Sequence, residues 1–138
     1  LGQGSLQVIT PQNWKIGDGL SVDLAELAGQ RMIGLDLKDP IGSLLSSQLE
    51  QLSPPPQVFA RVQTYQLQLS MVASGEGIAV VDPFTAASAR LMGLHSHPLT
   101  PAIDVSVYGW WLQEQNFLEP QRYLLAKVKE AVSQLLSG

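Results

Sequence analysis

The stretch Gly77-Ile78-Ala79-Val80-Val81-Asp82-Pro83 decides the fold of this chain. Its first five residues form a continuous apolar run, which is typical of a short strand buried on both faces of a sheet. Asp82 and Pro83 are residue types preferred at the N-cap and at the first position of an α-helix. The stretch therefore predicts a buried strand that passes directly into a helix.

The same order of apolar strand, turn and helix occurs on both sides of this stretch. We predict strands at residues 6–10, 31–35, 57–62, 94–98 and 104–112, and helical segments at 23–28, 41–52, 65–74, 84–92 and 119–136. Alternation of this kind is typical of an α/β fold. We therefore expect a mostly parallel sheet flanked by helices.

Composition excludes several classes of function. The chain has 138 residues, of which 14% are charged. Much of its surface is therefore neutral, which favours contact with a binding partner. A net charge of −4 disfavours direct binding of DNA or RNA. With no cysteine, disulfides, thiol catalysis and cysteine zinc sites are excluded. No apolar run approaches 18 residues, which predicts no membrane span.

Three of the predicted helices follow strands and begin at a capping residue. These residues are Asp39, Thr64 and Asp82, and two of them precede a proline. The carboxyl ends of parallel strands share one edge of a sheet, and α/β proteins bind ligands there. These residues either serve only as N-caps, where the helices begin, or also form one wall of a cleft for a small molecule. Acidic caps would favour a ligand with a cationic group over a bare phosphate.

No motif in the sequence predicts catalysis, a cofactor or a metal. His95 and His97 share one face of a predicted strand, but two imidazoles without a third ligand do not predict a metal site. Gly75-Glu76-Gly77 precedes a strand, whereas the glycine fingerprint of dinucleotide sites opens a helix. We therefore expect a non-catalytic protein with no cofactor.

Two longer segments resemble one protein family. VDLAELAGQRMI at residues 22–33 resembles the segment by which LysR-type transcriptional regulators begin the second subdomain of their effector domain. VASGEGIAVVDP at residues 72–83 is similar to that family's "VaaGlGiavvp" segment. The order of a strand from Asp104, the turn Leu118-Glu119-Pro120 and a last helix also resembles the end of that domain.

The resemblance implies a fold like that of type II periplasmic binding proteins, in which two α/β subdomains are joined by two crossover strands. Residues 1–99 would form the second subdomain with the first crossover, and residues 100–138 the second crossover, a returning strand and the last helix of the first subdomain. A winged helix-turn-helix that binds DNA, and half of the first subdomain, would lie outside this chain. The resemblance also implies a cytoplasmic regulator that assembles with itself.

The residues carried over from the family as effector contacts lie at the same sheet edge. They are Asp36, Lys38, Asp39, Ile41, Thr64, Pro83 and Phe84, to which the helix caps add Asp82. The expected effector is a small molecule, such as an amino-acid derivative with a cationic group. A fragment of an extracytoplasmic solute receptor with the same fold is the alternative, and an enzyme on an α/β scaffold is a third.

The C-terminal segment also predicts self-association. The strand at 104–112 would lie inside a sheet whose other strands are missing, which leaves both its edges unpaired. Trp110 and Trp111 point to opposite faces of that strand, and the helix at 119–136 carries an apolar side. We therefore expect a homodimer or a higher oligomer formed through these elements.

Overall fold

Strands and helices alternate along the chain as the sequence predicts. The computed structural model describes residues 2–107 and 119–137. Within these ranges the strands are β1 (Gly2–Ser5), β2 (Gln7–Thr10), β3 (Val22–Asp23), β4 (Arg31–Leu35), β5 (Gln57–Val62), β6 (Ala79–Val81), β7 (His95–Thr100) and β8 (Asp104–Val107). The α-helices are α1 (Pro40–Leu49), α2 (Tyr65–Ala73), α3 (Pro83–Leu91) and α4 (Glu119–Ser137), and a 3-10 helix spans Leu24–Leu27. The α/β fold is therefore confirmed.

Six of the strands lie side by side in the order β5-β4-β6-β2-β7-β3, with continuous pairing within β5-β4 and within β6-β2-β7-β3. β4 is joined to the residue before β6 by a single parallel bridge, between Met32 and Ile78. Its two hydrogen bonds run from Ile33 N to Ile78 O (2.9 Å) and from Ile78 N to Arg31 O (3.0 Å). From this point the chain runs from β4 through α1 to β5, towards one edge of the sheet. It runs from β6 through α3 to β7, towards the opposite edge. The strand order therefore reverses between β4 and β6, where α/β proteins bind their ligands.

Each face of the sheet carries its own apolar core because neighbouring side chains on a strand point to opposite faces. Val8, Met32 and Ile78 belong to the core on the α1 side. Ile9 and Ile33 pack on the other side with residues of α2 and α3. All five side chains are almost fully buried, which explains why the central strands read as unbroken apolar runs.

The sheet is mostly parallel, as expected, and β2 is the strand of these six that runs against the other five. β4 pairs with β5 in parallel, and β3 pairs with β7 in parallel. β2 runs antiparallel to both of its neighbours, β6 and β7. The reason is that β2 carries the chain into the sheet before any strand-to-helix unit begins, so no crossover helix fixes its direction.

Strand β8 is paired along one edge, which corrects the expectation that both its edges would be unpaired. It pairs antiparallel with β1 from Gly2↔Val107 to Ser5↔Asp104, and Leu6 N donates to Ile103 O (2.9 Å). Helix α4 packs on β1 and on α3, with Val132 buried. The C-terminal segment therefore packs on its own chain. Trp110 and Trp111 lie outside the described residues.

Candidate functional site

Helix α1 begins at the predicted edge, held by two aspartates. Asp39 is the N-cap, and its Oδ1 accepts hydrogen bonds from Ile41 N (2.8 Å) and Gly42 N (3.1 Å). Asp36 Oδ1 accepts from Lys38 N (3.0 Å), which closes the turn between β4 and the helix. Ile41 is half-buried and Lys38 is exposed. The turn therefore presents carboxylates and one ammonium group near the carboxyl end of β4.

Helix α3 begins in the same way, one strand along. Asp82 Oδ1 accepts from Phe84 N (2.8 Å) and Thr85 N (2.9 Å), and its Oδ2 accepts from the Thr85 hydroxyl (2.7 Å). Both oxygens are thus occupied by the first turn of the helix. Pro83 is buried, with its ring beside Gly4 of β1, so its role is to fix where α3 begins. Phe84 is half-buried at this edge.

Helix α2 lies between the other two N-termini. Thr64 is its N-cap, and the exposed hydroxyl accepts from Leu67 N (3.1 Å). Tyr65 follows at the first helical position, where the negative charges of Asp39 and Asp82 both act on its phenol. Three capped helix N-termini therefore converge at one end of the sheet, as the sequence predicts.

The phenol of Tyr65 is held neutral. Burial, followed by the charges of Asp39 and Asp82, raises the pKa of Tyr65 from 10.0 to about 12. Its hydroxyl is shielded from solvent and finds no hydrogen-bond partner among the described residues. The phenol of Tyr65 therefore keeps its proton at physiological pH and can donate a hydrogen bond. Sequence reasoning missed it, because a tyrosine at the start of a helix carries no signal of its own.

We expect this shift to appear in an alkaline titration. The unfolded chain releases the Tyr65 proton near pH 10 and the folded protein near pH 12, so between these values the folded state holds more protons. Stability therefore falls as the pH rises from about 10 to about 12. Absorbance at 295 nm should show a late tyrosine transition that Tyr65→Phe removes. A late transition that persists in this variant would contradict the assignment.

The two histidines lie away from this edge, at the start of β7. Their rings stack with centroids 6.2 Å apart, and His95 Nε2 lies 3.2 Å from Gln12 O. Within residues 2–107 and 119–137, no cluster of three or more His, Asp or Glu side chains could hold a metal ion. No helix in these ranges is both long and apolar enough to cross a membrane.

Solved structures share the fold of this chain. The effector binding domain of QuiR in complex with shikimate is 13% identical with a TM-score of 0.62, over 91% of this chain and 60% of that one. The CcmR regulatory domain of Synechocystis PCC6803 in complex with 2-PG is 14% identical with a TM-score of 0.61, over 94% and 63%. Full-length CbnR complexed with its target DNA is 14% identical with a TM-score of 0.57, over 75% and 36%.

The chain thus spans between 36% and 63% of the length of these three proteins. No curated protein matches it. The family model described as the LysR substrate binding domain matches residues 1–132, which is nearly the whole sequence. By this match, and by a fold shared with effector-binding domains, the chain belongs to the LysR substrate-binding domain family.

Proposed function

We propose that this chain senses a small molecule for a transcription regulator, without catalysing a reaction. The observation that carries the proposal is the convergence of three capped helix N-termini, with Tyr65 within reach of the charges of Asp39 and Asp82. The effector would contact Asp36, Lys38, Asp39, Ile41, Thr64, Asp82 and Phe84, with Pro83 fixing the start of α3. The structures of QuiR in complex with shikimate and of CcmR in complex with 2-PG support a small molecule as the ligand.

A cationic group on the effector fits the charges at this edge. This edge carries three carboxylates, those of Asp36, Asp39 and Asp82, and one ammonium group, that of Lys38. Both cap bonds of Asp39 end on Oδ1, and within the described ranges its Oδ2 accepts none. That oxygen is available to an ammonium or guanidinium group. Amino acids and amines that carry such a group are therefore the first compounds to test.

Thr64→Val is expected to weaken the response to effector about fivefold without unfolding the protein, because one hydrogen bond to the ligand is worth about 1 kcal/mol. Binding of cationic amino acids is measured by calorimetry on this chain, and the response in the intact regulator. Thr64→Ser is the control, since it keeps the hydroxyl that caps α2. A response unchanged in both Thr64→Val and Asp36→Ala would overturn the proposed site.

Regulation of transcription requires parts beyond this chain. We propose that DNA is bound by an N-terminal domain outside it, as full-length CbnR binds its target DNA, and that the regulator acts in the cytoplasm. We further propose that residues 1–99 form the second effector subdomain and that residues 100–138 return to the first. The pairing of β1 with β8 supports this division, since it sets the two crossovers side by side.

We also propose that the chain assembles as a homodimer through α4. Leu124, Val128 and Leu135 lie on one side of the helix and are 64%, 38% and 42% exposed. Light scattering is expected to give twice the monomer mass of 14.9 kDa. Val128→Lys should yield monomers, whereas Ala126→Lys, on another side of the helix, should not. A wild-type monomer at tens of micromolar would overturn the proposal.

A further inference from the structure

The turn at residues 36–39, which links β4 to α1 and carries part of the proposed effector site, is held from strand β5. The peptide group between Leu35 and Asp36 is hydrogen-bonded at both of its polar atoms. Asp36 N donates to Val62 O (2.8 Å). Leu35 O accepts from Nη1 of Arg61 (3.2 Å). Both partners are the last two residues of β5, so the end of that strand fixes the start of the turn.

Arg61 reaches this carbonyl by passing over β4. The N–H and C=O groups of a trans peptide point in opposite directions, so Leu35 O faces away from β5 while Asp36 N faces towards it. The guanidinium passes Gly34, where an added Cβ atom would lie 3.0 Å from Arg61 Nη1 and 2.9 Å from Val58 Cγ1. Glycine inside a strand weakens it and often marks such a close approach. Gly34 thus makes room for the side chain of Arg61.

The same guanidinium also holds helix α1. Its Nη2 donates to Ser46 Oγ (3.3 Å), and this hydroxyl donates to Glu50 Oε1 (3.1 Å). Ser46 is 8% exposed. Arg61 therefore bridges the last residue of β4 and a buried residue of α1, one on each side of the turn. Any opening of the turn that moves α1 away from β4 must break at least one of these two hydrogen bonds.

We propose that Arg61 is a positioning residue of the effector site, which holds the turn at 36–39 in place without contacting the effector. The inference rests on the proposed function, because it concerns the site to which Asp36 and Asp39 belong. A planar guanidinium suits this role, since its separate donors bind a strand carbonyl and a helix hydroxyl at once.

Amide hydrogen exchange tests this role in the absence of any ligand. Arg61→Met keeps an apolar stem over β4 and removes both hydrogen bonds. We expect the two amides at the start of α1 that Asp39 caps to exchange about fivefold faster, because loss of a hydrogen bond favours local opening of the turn. The two amides at the start of α3 that Asp82 caps in the same way should exchange at the wild-type rate.

Arg31→Met is the matched control. Arg31 lies at the other end of β4 and also donates to a backbone carbonyl, from Nε to Glu76 O (2.8 Å). This variant should leave both pairs of capped amides unchanged. Equal acceleration at both caps in Arg61→Met would show a general loss of stability, and acceleration at neither would show a turn that holds without Arg61. Either result would overturn the proposal.

Binding of L-lysine, measured by calorimetry, separates positioning from charge. Arg61→Met removes a positive charge, which by itself favours a cationic ligand. Positioning predicts the opposite, about fivefold weaker binding. Tighter or unchanged binding in Arg61→Met would overturn the proposal. If the wild type did not bind L-lysine, the cationic effector of the proposed function would lose support, and the exchange comparison would still decide the role of Arg61.

Discussion

Ile78→Ala is expected to lower the free energy of unfolding by about 3 kcal/mol, because it removes buried methyl groups and leaves a hole that its neighbours fill only in part. Ile78 is fully buried in the core on the α1 side, next to Met32 and Val80. It also stands at the bridge that joins β4 to the rest of the sheet. For a domain whose total stability is about 5–15 kcal/mol, this is a large loss.

Urea denaturation measures this loss, with Ile78→Val as the control. Valine deletes a single methyl group and should cost about 1 kcal/mol. The backbone hydrogen bonds of Ile78 remain in both variants, so the slope of the transition should not change. If alanine cost no more than valine, Ile78 would not be packed as the structure shows.

Gly42→Ala is expected to lower the free energy of unfolding by about 2 kcal/mol, although alanine favours helices by about 1 kcal/mol over glycine. A Cβ atom at Gly42 would lie 2.5 Å from the carbonyl oxygen of Asp36 and 3.3 Å from Leu35 Cβ. The contact is with backbone, so either the first turn of α1 or the turn before it must move. Because Asp36 belongs to the proposed effector site, effector affinity should fall as well.

Ser43→Ala is the matched control for Gly42→Ala. Ser43 is the next residue of α1 and is exposed, so alanine there should be neutral or slightly stabilising. Thermal unfolding of the two variants gives the sign directly. A Gly42→Ala protein as stable as the wild type would show that the turn yields without cost, which would contradict the close approach of Asp36 to α1.

Much of the sheet edge could be predicted because local sequence encodes it. Strands β4 and β5 have the predicted bounds, since each is a β-rich run closed by turn residues. Helices α1 and α3 begin at Pro40 and Pro83, each at the first helical position after an aspartate cap, as the Asp-Pro pairs predict. Asp39, Thr64 and Asp82 all cap helices as predicted.

What the sequence did not predict depends on contacts between distant segments. β1 has two glycines and no apolar pattern, and it forms a strand through its pairing with β8. The direction of β2 is set by strands that follow it by about seventy residues or more. The buried hydrogen bond from Gln68 Nε2 to Ile33 O joins α2 to β4 across 35 positions of the sequence. Tyr65 lies between two charges only because three helices converge.

The pairing of β1 with β8 brings the two ends of residues 6–103 together. Ser5 faces Asp104 across the two-stranded pair, so the chain leaves and returns within one interstrand spacing, about 5 Å. A segment with adjoining ends can be spliced into a surface hairpin of another protein without stretching either one. Residues 6–103 are therefore suited to insertion as one unit into another protein, in which the two strands of a surface hairpin replace β1 and β8.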